Sequence, residues 1–265
     1  MNEIVVGSEE WLNQVTEEIV EPDIRIIDPH HHLWDFPTST YLVKELQEDT
    51  ASGHNVEKTI YMECGVGYYE EGPDHLKSVG ETESVAKHAD ESKRSGGSPI
   101  AGIVSRADLR IGDLLDETLD AHLEASNGLF RGIRHAGASA EYPDELLIPG
   151  GAPRDLFYDD DFINGVRLLG KKGYTYDTWH YHYQNKDFIN LVSKVSDTQI
   201  ILDHFGPPLG VGPYETQREE IYQEWKKDMK ELSKLDNVVM KIGGLAMPDN
   251  GFGWDKRSKP ATSDE

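Results

Sequence analysis

Short β-rich runs alternating with longer polar, helix-like segments predict an α/β protein on a parallel sheet. More specifically they predict a (β/α)8 TIM barrel in which about seven of the eight βα units are present. Three observations carry this. The alternation itself implies a parallel sheet covered by helices. The first strand candidate runs into Pro29-His30-His31-His32, not into the glycine-rich phosphate turn that a doubly wound nucleotide fold would place there. Histidines, carboxylates or arginines also stand at the C-terminal ends of several strands, where a barrel assembles its active site from βα loops.

Taken in order, strands are expected over residues 24–28, 58–63, 100–105, 129–134, 173–177, 199–204 and 238–242. Helices are expected near 75–95, 111–125, 160–171, 187–195 and 216–235. The last has the clearest helical stripe, in Ile221, Trp225, Met229, Leu232 and Leu235. Residues 1–22 read as an N-terminal helical extension and 23–265 as one incomplete barrel domain. The closing Pro260-Ala261-Thr262-Ser263-Asp264-Glu265 resembles the approach to a further helix, so an eighth βα unit is expected to be missing and the sequence to be truncated. The Gly/Pro-rich stretches 141–153 and 206–213 each follow a strand end and read as active-site loops.

Composition excludes several function classes. The 265 residues carry 26 Lys+Arg against 49 Asp+Glu, a formal charge of -23, which is the opposite of a nucleic-acid footprint. No apolar run approaches the roughly 20 residues a bilayer crossing needs, and the acidity repels anionic lipid, so no membrane partner is expected. With Cys64 alone, no intrachain disulfide can form, and Met1 opens an acidic stretch without an apolar leader. A cytoplasmic protein acting on a small anionic or cyclic molecule is expected, with homo-oligomerisation left open.

Three histidine motifs carry the chemistry. In Asp28-Pro29-His30-His31-His32-Leu33-Trp34-Asp35, residues two apart on an extended strand end share a side, so His30 and His32 can converge on one ion while Asp28 and Asp35 orient their second nitrogens. In Tyr176-Asp177-Thr178-Trp179-His180-Tyr181-His182-Tyr183, either histidine could complete that ligand set, and the aromatic residues would form a dry wall. In Leu202-Asp203-His204-Phe205-Gly206-Pro207, His204 is a ligand or proton carrier at a rigid turn. Arg134, at the end of the fourth strand, is suited to grip a carboxylate or polarise a carbonyl. Glu63 is a ligand, a base or the salt-bridge partner of that arginine, and Lys241 is an inward side chain suited to pairing. Cys64 has no histidine neighbour and reads as an inert thiol.

These motifs, with Val239-Met240-Lys241-Ile242-Gly243-Gly244-Leu245, resemble in order the amidohydrolase-2 branch of the amidohydrolase superfamily, over about residues 24–245. The resemblance implies a barrel hydrolase, and by position it makes His30 and His32 the first-strand pair, His204 the sixth-strand histidine and His182, with His180 as competitor, the fifth-strand ligand. It implies one divalent metal at most, Zn or Mn, or none, because no bridging Lys or Glu stands on the fourth strand. The family's eighth-strand acid has no counterpart in this sequence. The implied activity is hydrolysis of an ester bond in a lactone or related cyclic acid. Arg134, Trp34, Trp179 and His180 would then bind substrate, and His204, Arg134 and Glu63 would act in catalysis. The implied alternatives are a metal-dependent decarboxylase of an unsaturated or aromatic acid, and an inactive, binding-only relative.

Overall fold

The computed structural model describes residues 4–265. Its main sheet has seven parallel strands: β1 (Arg25–His31), β4 (Asn55–Met62), β5 (Ile100–Arg106), β6 (Phe130–Arg134), β7 (Thr175–Thr178), β8 (Ile200–Leu202) and β9 (Val238–Met240), hydrogen-bonded in that order. The sheet curls into an incomplete barrel, one βα unit short of eight, with β1 and β9 at its two edges. A small hairpin, β2 (Trp34–Phe36) with β3 (Ser39–Tyr41), follows β1.

The helices α3 (Val79–Ser95), α4 (Leu114–Ala125), α5 (Asp160–Lys172), α6 (Asn185–Lys194) and α7 (Arg218–Leu232) occupy the expected connections. Local chemistry sets their ends. At the start of α5 the Asp159 carboxylate accepts from the Phe162 amide at 3.0 Å, and the helix stops at Gly173, whose φ of 78° suits a residue without Cβ. Short α2 (Val43–Thr50) has no sequence stripe to announce it, since Val43 and Leu46 alone are buried. The N-terminal extension differs from expectation: among the described residues before β1 there is one four-residue helix, α1 (Glu9–Leu12), because few side chains there find a surface to cover.

Strand parity divides the interior. Ile133, Tyr176, Ile200 and Leu202 face outward and pack with Leu119, Phe162, Val166, Phe188 and Leu191 of the helices in one dominant core. Ile26, Ile60, Thr175, Asp177, Ile201 and Val239 line the bore. Between β9 and β1 the bore opens to the side as a cavity of ≈ 550 Å³.

Candidate active site

Parity also builds the site. His30 and His32 are two apart at the end of β1, and their Nε2 atoms lie 3.3 Å apart, with His31 turned away against Tyr61. The His32 Nδ1–H donates to the Met62 carbonyl at 2.8 Å, which leaves Nε2 as a lone pair directed at the partner ring. The expected orienting acids take other partners: Asp28 accepts from the His30 amide and Asp35 from the Thr40 hydroxyl. His30 Nδ1 instead lies 3.6 Å from Asp203 Oδ1 and 3.4 Å from Lys241 Nζ.

His204 was expected on a strand but lies just beyond one. β8 stops at Leu202, and His204 (φ 55°, ψ 32°), Phe205 (φ 66°) and Gly206 (φ 55°) are three consecutive left-handed residues. Two non-glycine residues in that region are strained, at an order of 1–3 kcal/mol each. Trp225 on α7 clamps the turn through a 2.7 Å bond from Nε1 to the Phe205 carbonyl. Gly244 permits it, because a Cβ there would lie 2.5 Å from His204 Nδ1. The result sets the His204 ring 4.6 Å from that of His30.

Charged groups floor this cluster. Arg134 donates from Nε to Glu63 Oε1 at 2.7 Å and from Nη2 to the Glu63 carbonyl at 2.6 Å, while its Nη1 is 3.8 Å from Asp203 Oδ2. Of the roles open to Glu63, the salt bridge to Arg134 is the one it occupies. Lys241 Nζ lies 2.9 Å from Asp203 Oδ1 and 2.9 Å from Asp177 Oδ2. Burial lowers His30 to about 3, against the opposing pull of Asp203, and it also lowers His32 and His204, so all three rings are neutral near pH 7. Burial raises Asp177 to about 6 although Lys241 opposes it. Burial also works against ionisation of Asp203, but the nearby His30, Lys241 and Arg134 prevail and hold it at about 2.

Three expected site residues lie elsewhere, and the reason is the two-residue period. On β7 and its extension Thr175 and Asp177 face the bore and Trp179 and Tyr181 the mouth, so His180 and His182 have outward parity. His180 is fully buried between Phe157 and Phe188 with its Nε2 on Asn185, and does not line the cavity above His30 and His32. His182 accepts the Leu209 amide at Nδ1 and packs on Tyr214, away from the His30–His32 pair. Trp34 stacks on Tyr41 in the hairpin. The bore-facing acid of this strand is Asp177, which sequence reasoning passed over although it shares the parity of Trp179. Glu81 was missed too: its Oε1 accepts the amides of Cys64, Gly65 and Val66, holding the loop that follows Glu63. A lone helical glutamate gives no such signal in sequence.

The donors suit a divalent ion. A separation of 3.3 Å between two imidazole nitrogens matches two ligands about 2.0–2.1 Å from a shared metal. His30, Asp203 and His204 offer atoms all within 4.8 Å of one another, and both Asp203 oxygens are buried without an aligned hydrogen bond. Above them opens a cavity of ≈ 490 Å³ lined by His30, His32, Arg134 and His204 on one side and by Trp179, Tyr181, Ile148 and Met247 on the other.

Comparison with known proteins agrees with this architecture. The chain is 31% identical over 266 residues to the uncharacterized protein y4mH of Sinorhizobium fredii, covering 89% of this chain and 77% of that protein. An amidohydrolase from Burkholderia multivorans crystallised with bound zinc shares the fold, with TM-score 0.59 and 24% identity over 87% of this chain and 72% of that one. The L-fucono-1,5-lactonase of Burkholderia multivorans is 27% identical over 147 residues, 55% of this chain and 44% of that enzyme. No family model matches. The chain belongs to the same family as y4mH and has the fold of the solved amidohydrolases. A candidate metal-binding site lies among its histidines and aspartates. Among the described residues no helix is long and apolar enough to cross a membrane.

Proposed function

We propose that the site hydrolyses the ester bond of an uncharged lactone. The observation that carries this reading is the convergence of three neutral imidazoles and Arg134 on a cavity that Trp179, Tyr181, Ile148 and Met247 also line, with Asp249 and Asn250 as its further polar groups. The charge balance supports an uncharged ring over a carboxylated one. Arg134 and Lys241 face Glu63, Asp177 and Asp203, and Arg134 already spends Nε and Nη2 on Glu63, so a substrate carboxylate would compete with three acids, two of them buried. The same pairing argues against Arg134 as a carboxylate clamp.

His30 and His32, with Asp203 beside them, would hold a divalent ion, Zn or Mn, which supplies polarisation of the lactone carbonyl. His204, neutral at working pH, takes a proton from the attacking water as its oxygen bonds to the carbonyl carbon. That proton then passes to the ring oxygen as the C–O bond breaks, giving a hydroxy acid. Arg134 Nη1 donates toward the developing oxyanion, and Glu63 fixes the guanidinium for that task. Trp179 and Tyr181 cover the sugar-sized ring and limit water.

The test is acid release from a panel of uncharged sugar 1,5-lactones and carboxylated pyrones. Turnover of the former is expected, falling by about 10²–10⁴ in His204→Ala. Absence of lactone turnover in the wild-type chain, or full turnover in that variant, ends this reading; carbon dioxide release in place of acid would favour the decarboxylase.

A further inference from the structure

Lys241 takes no part in the hydrolytic steps, yet it is the most enclosed cation of the site. Its side chain is 9% exposed and bridges Asp177 and Asp203, which are 2% and 0% exposed. Its Nζ also lies 3.4 Å from His30 Nδ1, so one ammonium faces groups carried by β1, β7 and the turn after β8. Asp203 is the carboxylate that, with His30 and His204, forms the three-residue donor cluster. The Asp203 oxygen nearest the ammonium is also the one nearest His30 Nδ1. A divalent cation using this cluster would therefore draw on a carboxylate that Lys241 already neutralises.

We propose that Lys241 is a built-in competing cation. Its ammonium holds Asp203 and Asp177 together, where two buried acids would otherwise repel each other, and it sets the affinity for a divalent ion because that ion must share or displace it at Asp203. This goes beyond the hydrolytic reading and requires only that the ion bind here.

Calorimetric titration with Zn²⁺ alone tests it. Lys241→Met should bind Zn²⁺ more tightly than the wild type by about 10–100-fold, the scale on which a ligand's immediate partner acts. Because that variant leaves two buried acids unpaired, the deciding comparison is Asp177→Asn against the Asp177→Asn/Lys241→Met double variant, which differ in the ammonium alone and each bury one acid fewer. A gain of about tenfold or more in the folded double variant supports the competitor role. Equal or weaker binding there, or no saturable Zn²⁺ in any variant, overturns it. Lactone turnover does not enter the readout, so the two readings stand or fall separately.

Discussion

The middle of the sheet and its two edges solve different problems. At β6 and β7 the outward side chains, Ile133 and Tyr176, are wholly buried under α4 and α5. At the edges Ile27 on β1 is 57% exposed, Val239 on β9 is 52% exposed, and Ile242 just beyond is 87% exposed. Spare backbone groups and apolar side chains lie exposed along this flank. The site draws on both regions, taking Arg134 and Asp177 from the rigid middle and His30, His32 and Lys241 from the edges. At the C-terminal end of the bore Lys241 reaches from one edge to His30 on the other, so there the opening is spanned by polar contacts, whereas lower down it stays apolar. Stability therefore resides in the middle, and the chemistry depends on holding two weakly covered edges in register with it.

The sharpest way to break this comparison is truncation of side chains. Ile133→Ala should lower stability in urea unfolding by about 2–5 kcal/mol, and Val239→Ala by under about 1 kcal/mol. Equal losses would mean that the flank is covered in solution.

Next in size is pH. His122 lies in the closed part and His30 at the site, and burial lowers them to about 4 and about 3 from an ordinary 6.5. A lowered histidine binds protons in the unfolded chain first, so its stability is complete above pH 6.5 and is lost as pH falls toward the folded value. Between pH 7 and 5 each should cost about 2 kcal/mol, 1.5 units at 1.36 kcal/mol per unit. Asp177 runs the other way: raised to about 6 from 3.8, it takes up a proton in the folded state first and offsets part of the loss below pH 6. Urea unfolding at pH 7 and 5 measures the sum, and His122→Asn should flatten the slope by its share.

Smaller still is the effect of Gly244→Ala. Its φ of 89° is left-handed, and the new methyl would meet the His204 ring, so a loss of about 1–2 kcal/mol is expected together with slower lactone turnover. A stable variant with unchanged turnover would show that His204 is not pinned from this side. The smallest effect is at the flank surface, where Ile242→Lys should change stability by less than about 0.5 kcal/mol while reducing self-association seen by light scattering. In native hydrogen exchange the β1 and β9 amides should open well before those of β5 and β6.

Much of this was legible in the chain. All seven strands of the main sheet and the five long helices fall within a few residues of where periodicity places them, because alternation and amphipathic stripes are local properties. The convergence of His30 and His32 is equally local, a matter of two-residue spacing on one strand end. His180 and His182 went to the wrong side because the phase of that spacing on β7 is set by which face meets α5 and α6, not by the aromatic composition of the segment. The left-handed turn at His204 was hidden for a similar reason: Trp225 and Gly244, which allow it, are distant in sequence.

By itself, then, the sequence determined the order of elements, the barrel class and the first histidine pair, all of which follow from spacing and side-chain type. Only the tertiary structure decided that Arg134 belongs to Glu63, 71 residues away, and that Lys241 bridges Asp177 and Asp203 and reaches His30, 211 residues away. Such pairings depend on the register between strands and on which buried charges must neutralise one another, and neither is a property of any short stretch of chain.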